Sequence, residues 1–162
     1  MISQQDWQSI CRVVQMAQKA SMHCSIATVD ALGQPSITPV GTLFLNDDQT
    51  GYFFDTFTER LAENLAQNSK VCIQAINSSR WFWLSSLVQG SFKDYPGVRL
   101  YAEIGALRPA TEKEKLAVEK RIKPLQWTKG SQLIWSEFTQ VRDISIQDFR
   151  WIRYPKMMDH LL

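Results

Sequence analysis

The chain has 162 residues, 44% of them hydrophobic, which is enough for one domain with a real core and too few for two, so a single domain over residues 1–162 is expected. With 18 basic against 16 acidic side chains the formal charge is +2 and the cations are dispersed, which argues against nucleic acid or an anionic membrane as a partner. The opening MISQQDWQSICRVV lacks the basic flank and apolar run of a secretion signal, and no stretch nears the roughly 20 apolar residues of a bilayer span, so a cytoplasmic location is expected.

From Ser3 onward, apolar residues recur at Trp7, Ile10, Val14 and Ala17, the spacing of one helical face, and Ser3 can cap the first turn. A helix to about Ala20 is predicted. HCSIATVD and QPSITPVGTLFLN, joined by the turn residues of DALGQP, read as an antiparallel hairpin; GYFFDT follows the polar turn NDDQT, making three strands of a meander. Thr56 with Glu59 three residues on reads as a capping box, and Leu61, Leu65 and Ala62 supply the inner face of a second helix ending near Asn68. KVCIQAIN is the fourth strand.

Between Ser78 and Pro96, RWFWLSSLVQGSF gathers two Trp, two Phe and two Leu without clean periodicity and is read as irregular and buried. In GVRLYAEIGAL, Val98, Leu100, Ala102 and Ile104 alternate with Arg99, Tyr101 and Glu103, a strand with one core face. TEKEKLAVEKRI opens with a second capping box, Thr111 to Glu114, and carries Lys and Arg toward its end as the helix dipole favours; its charges read as a solvated face. QLIWSEF, TQVRDISIQDF and RWIRY supply the last strands.

Six or seven mostly antiparallel strands with short helices at their ends call for a sandwich or a closed barrel. Six Trp and eight Phe are more than one small barrel hides, so some should line a ligand pocket or a subunit interface, and a homodimer is expected. Cys11, Cys24 and Cys72 are odd in number and set in apolar patterns, which reads as buried thiols; with only His23 and His160 as histidines, no metal site is expected.

The stretch DTFTERLAENL, residues 55–65, raises a chemical question. If Thr56 caps the helix, the amides of Phe57, Thr58 and Glu59 gather beside the Thr58 hydroxyl and the Arg60 guanidinium, donors suited to a phosphate. On the residues alone, an ordinary capped helix with a surface arginine is the simpler reading. Just upstream, Gly41 leaves room for a flat ring near the backbone, and Pro39 removes a donor at an edge position.

The order of P-x-x-x-P-V-G-T-L-F, T-x-R-x-A-x-N-L, V-R-L-Y-A-E-I-G and a P-A-T-E-K-E-K helix resembles the pyridoxamine 5′-phosphate oxidase-like FMN-binding split-barrel family over roughly residues 20–150. That resemblance implies a mainly β fold with peripheral helices, a six-stranded antiparallel split β-barrel, and a homodimer with FMN at the subunit interface. It would lay Thr38, Pro39, Val40 and Gly41 along the isoalloxazine ring. Asp55, Thr56, Thr58 and Arg60 would hold the ribityl chain and phosphate, and the partner chain, through Trp81 to Trp83 or Trp127 to Trp135, would cover the other side.

Two departures narrow the expectation. Where the family commonly has S-R-K, this chain has Glu59-Arg60-Leu61, so one cation serves where two often do, a loss of about 1.5–3 kcal/mol in phosphate binding. SIQDFRWIRYPKMMDHLL contains no R-x-H motif, which argues against vitamin B6 oxidation. The reading is an FMN-dependent oxidoreductase that exchanges hydride with a small-molecule redox substrate, with no general acid or base assigned. The alternative is a non-catalytic binding or sensor dimer for flavin, haem or another flat ligand.

Overall fold

Ser3 starts the first helix as its residue type suggests: its hydroxyl accepts from the Asp6 amide at 3.0 Å, and α1 (Gln4–Ser21) buries Trp7, Ile10, Val13, Val14 and Ala17 along one stripe. This computed structural model describes residues 2–56, 58–134 and 137–161, with the backbone alone at 134. Seven strands follow α1: β1 (Cys24–Val29), β2 (Pro35–Val40), β3 (Leu43–Leu45), β4 (Thr50–Phe54), β5 (Lys70–Ile76), β6 (Gly97–Pro109) and β7 (Gln140–Trp151). They form one sheet in the order β2-β1-β5-β6-β7-β4-β3 with every ladder antiparallel. The helices α2 (Glu59–Gln67), α3 (Arg80–Gln89), α4 (Glu112–Ile122) and α5 (Lys129–Ile134) lie in the connections. No described helix is long and apolar enough to cross a membrane.

The curled sheet has two cores. Ile26, Ile73 and Leu100 register side by side across β1, β5 and β6, all fully buried, and α1 covers this face. A smaller cluster of Tyr52, Phe54, Ala110, Val118 and Val141 lies beneath α4. Because side chains alternate along a strand, β4 sends Phe53 into the first core and Tyr52 and Phe54 into the second. That is why GYFF reads as an unbroken apolar run. The ladder between β6 and β7 shifts register at Tyr101/Ala102 and again between Ile104 and Leu107, irregularities of the kind that bend a sheet toward closure.

The mainly β, antiparallel split barrel expected from the sequence is present, with a seventh strand in place of six. The run PSITPVGTLFL is two strands, because at Gly41 the backbone passes the Met22 carbonyl so closely that a Cβ would stand 2.9 Å from that oxygen. The chain turns there, and β2 and β3 end on opposite edges of the sheet, so the expected three-stranded meander does not form.

Three further expectations are corrected. RWFWLSSLVQ is helical: Ser79 caps α3 by accepting from the Phe82 amide, and Gly90, at φ 67°, closes it. Its periodicity is masked because Phe82 and Trp83 pack against Phe92 while Trp81, Leu84, Leu87 and Val88 are exposed. QLIWSEF is not a strand; α5 takes its first half, Trp135 and Ser136 lie outside the described residues, and β7 starts only at Gln140. The capping box at Thr56 is absent, since α2 begins at Glu59 with Thr58 at the cap position and no side-chain cap bond.

The box at Thr111 forms in both directions, with the Thr111 amide donating to Glu114 at 2.8 Å and the Glu114 amide to the Thr111 hydroxyl at 3.3 Å. Arg108 then grips Glu114 through Nη1 at 3.0 Å and Nη2 at 2.7 Å, and Asp143 of β7 through Nε at 2.9 Å and Nη2 at 2.6 Å. Arg108, followed by the Thr111 amide, holds the Glu114 carboxyl below its ordinary 4.5. A proton therefore binds Glu114 less readily in the folded chain, so its contribution to stability is complete above that ordinary value and is lost as pH falls through the depressed one. Glu114→Gln should cost about 1.5–3 kcal/mol at neutral pH, and thermal melts across the acid range should show the difference from wild type closing as Glu114 protonates.

Candidate functional site

Beside the break at Gly41 the structure opens a cavity of about 610 Å³, within the range of small-molecule and cofactor sites. One wall is the end of α1, through Gln15, Gln18 and Lys19, with Met22 just beyond it. A second is the end of β2, through Pro39, Val40, Gly41 and then Thr42; the turn after β4 adds Phe54, Thr56 and Thr58. The remaining side is an arm of the same chain that runs from α4 through the 3-10 turn Lys123–Leu125 to α5, presenting Arg121, Ile122, Leu125, Thr128 and Ser131, with Phe138 beyond it. Among the described residues the lining holds no carboxylate, imidazole or thiol; its charged groups are Lys19 and Arg121.

Arg121 is fixed to the strand break. Its Nη1 donates to the Gly41 carbonyl at 3.2 Å and the Leu43 carbonyl at 2.6 Å, and its guanidinium carbon lies 3.7 Å from the centroid of Phe44. Nε and Nη2 make no hydrogen bond to the described residues, so three of its five N–H donors are open to a ligand. Although the residue as a whole is exposed, the protein around its guanidinium desolvates it and pushes its pKa down. Nearby, burial pushes the Cys24 thiol up to about 12 against the opposing pull of Arg121 and Gln18, so Cys24 is an inert part of the core.

Of the residues singled out in the sequence, Pro39, Val40, Gly41, Thr56 and Thr58 come together on this cavity. Thr38 does not line it; it pairs with Ile26 in the β1–β2 ladder. Asp55 is also outside the lining. Its carboxylate is only 7% exposed and receives Arg142 Nε at 2.5 Å and the Thr58 hydroxyl, while its amide donates to the Gln140 carbonyl at 3.1 Å. Thr56 in turn donates to the Glu137 carbonyl at 3.3 Å. These bonds hold the turn after β4 against β7 and leave both threonine hydroxyls to offer lone pairs to a ligand. Arg60 is on the surface, 68% exposed, paired with Glu63 at 3.2 Å, and does not reach the lining. Phe57, expected to contribute an amide, lies outside the described residues.

The sequence reading missed Arg121 and Ser131. A signal for the first was present: Glu114, Val118 and Arg121 fall at i, i+4 and i+7, one stripe of α4, so Arg121 belongs to the inward face. Ser131 had none, because no local spacing marks a serine in that six-residue helix as buried. Trp127, a candidate cover, is 80% exposed.

Comparison with known proteins agrees with this architecture. The pyridoxamine 5′-phosphate oxidase family model matches residues 14–145. No curated protein matches the chain in a sequence search. Among solved structures, an FMN-binding protein from Syntrophomonas wolfei superposes with a TM-score of 0.61 at 15% identity, covering 93% of this chain and 90% of its own. HupZ from Group A Streptococcus gives 0.57 at 18% identity over 94% of each chain, and HutZ, the heme storage protein of Vibrio cholerae, gives 0.54 at 15% identity over 86% of this chain and 92% of its own. At such identities the likeness is one of fold. With the family model covering most of the chain and the split barrel in place, this chain belongs to the pyridoxamine 5′-phosphate oxidase family.

Proposed function

We propose that the cavity binds FMN and that the chain works as a homodimeric FMN-dependent oxidoreductase on a small-molecule redox substrate. The observation that carries this reading is Arg121, a tethered cation with open donors on the wall of an otherwise largely apolar cavity. A flat ring with one anionic end matches that donor set: Pro39, Val40, Phe54, Ile122 and Phe138 offer apolar surface, and Arg121 and Lys19 offer positive charge. The lack of a lining carboxylate among the described residues removes repulsion against a phosphate. When bound, FMN would supply the hydride or electron transfer. The chain's own part is to orient the ring against the β2 end, neutralise the anionic end and keep water from the apolar wall.

A second reading, a non-catalytic haem carrier, is favoured by the Met22 thioether on the same lining, a soft donor of the type that ligates haem iron. The two part on the spectrum. Purified protein incubated with FMN should retain flavin absorbance through gel filtration and bleach with a reductant, whereas hemin should be retained poorly. Arg121→Ala should weaken FMN binding about 10- to 100-fold, and Arg60→Ala, which removes only an exposed pair, should leave it within about twofold. Equal loss in both variants, or loss in Arg60→Ala alone, would return the anion to the start of α2.

The proposed dimer rests on exposed apolar side chains of the sheet. Ile37, 71% exposed, registers with Ala27, and Ala27 with Cys72 and then Tyr101, a row on the face opposite the α1 core. Light scattering should give twice the 18.7 kDa chain mass, and Ile37→Lys should shift it toward the monomer.

A further inference from the structure

Both sides of α3 are apolar, and only one of them is covered. Phe82 and Trp83 pack on Phe92 with ring centroids 5.6 and 5.4 Å away, Trp83 Nε1 donates to the Asn77 carbonyl at 2.6 Å, and Ser86 is buried. Trp81, Leu84 and Val88 fall at i, i+3 and i+7 on the other side, with Leu87 beside them, and all four are more than half exposed. A helix packed on one side ordinarily turns polar residues outward, so this stripe is surface that water disfavours. None of it lines the cavity at Gly41.

The stripe has a basic border that the sequence scatters. Beyond β7 the tail folds back against α3: Tyr154 packs on Trp83 at 5.3 Å and on Phe92 at 5.6 Å, the Phe92 amide donates to the Met157 carbonyl at 3.0 Å, and His160 Nε2 donates to the Phe92 carbonyl at 2.7 Å. Arg80, Trp83 and Leu87 share one edge of the helix by their three- and four-residue spacing, so the tail meets α3 on the edge that carries Arg80. The segment bearing Arg153 and Lys156 is thereby set against the segment bearing Arg80 and Lys93, and all four cations are exposed. Residues 78–96 and 152–162 together hold two carboxylates, Asp94 and Asp159. Asp94 is neutralised by Arg12, through Nε at 2.8 Å and Nη2 at 3.1 Å. The excess of cations over carboxylates in these two segments equals the formal +2 of the whole chain.

We propose that α3 and the tail form a docking face for an anionic lipid bilayer, the stripe from Trp81 to Val88 entering the acyl boundary and the four cations meeting the headgroups. A tryptophan and aliphatic side chains on one helix face, bordered by lysine and arginine, is the composition of helices that lie in a bilayer interface. Cations dispersed along the sequence argue against such a partner, and the folding of the tail onto α3 undoes that dispersal. Two considerations favour lipid over protein. Packing of this face on the same face of a second copy would bring together two basic borders of like sign. A protein partner would need a groove shaped to a protruding helix, whereas a bilayer yields around the side chains that enter it.

The test is flotation of the full chain with vesicles of phosphatidylcholine alone and of equimolar phosphatidylcholine and phosphatidylserine, with the gel-filtration mass of each variant alongside. Wild type should float with the mixed vesicles, shift its tryptophan emission to the blue and be released by salt. Arg153→Ala with Lys156→Ala should lower that binding about 20- to 30-fold, and Trp81→Ala with Leu84→Ala about tenfold or more. Leu116→Ala, which truncates an exposed leucine of α4, should stay within about twofold of wild type. Because the substituted side chains are exposed, every variant should keep its Tm within about 2 °C. No binding to the mixed vesicles, equal binding to both kinds, or binding that Trp81→Ala with Leu84→Ala leaves unchanged overturns the proposal. So does a wild type that binds polyglutamate but neither vesicle, the mark of an acidic protein partner. A fall of the Trp81→Ala, Leu84→Ala variant to monomer mass overturns it as well, since the face would then be an interface between copies.

Discussion

Arg108 sits where the sheet and the cavity arm meet, and the rest of the site is built outward from it. One guanidinium makes paired bonds to Glu114 on α4 and to Asp143 on β7, in the planar two-point geometry that lysine cannot reproduce. It follows directly on the irregular stretch of the β6–β7 ladder, so α4 leaves the sheet at an angle set by both strands. Val118 and Ile122 then seat the helix on the second core, and Arg121, between them in sequence, lines the cavity. A helix whose first turn were free to swing would carry that cation with it.

The same logic separates the two arginines that the proposed phosphate site could use. Arg60 faces solvent beside Glu63, where water and a neighbouring carboxylate weaken any attraction for a distant phosphate. Arg121 is partly desolvated and held on two backbone carbonyls and an aromatic face, so its charge acts at short range in a less polar medium. Asp55 and Arg142 complete the frame from below. Their buried pair anchors the turn after β4 without itself lining the cavity, and the Thr58 hydroxyl, which does line it, donates into that pair.

The break at Gly41 links fold to site. It ends β2, sends β3 to the far edge of the sheet, and exposes the carbonyls of Gly41 and Leu43 to Arg121. Had β2 and β3 continued as one strand, those carbonyls would have been available to a neighbouring strand and the cavity wall would have closed.

Much of the architecture was written in local pattern. The stripe of α1, the alternation along β6, the turn residues of the first hairpin and the capping box at Thr111 each follow from the side chains of a few neighbouring positions, so the antiparallel, mainly β character could be read from them. RWFWLSSLVQ resisted, because its exposed face carries Trp81, Leu84, Leu87 and Val88 as well as the packed Phe82 and Trp83, so the polar beat that marks a helical period is lost. Segments near the cavity, Pro39 to Gly41 and Thr56 to Thr58, were visible as backbone-permissive or hydroxyl-bearing stretches. What only the tertiary structure decided was which cation lies there. Arg121 reaches the Gly41 and Leu43 carbonyls, some eighty positions earlier, and contacts across that separation depend on the packing of whole elements, which no local spacing of residues encodes.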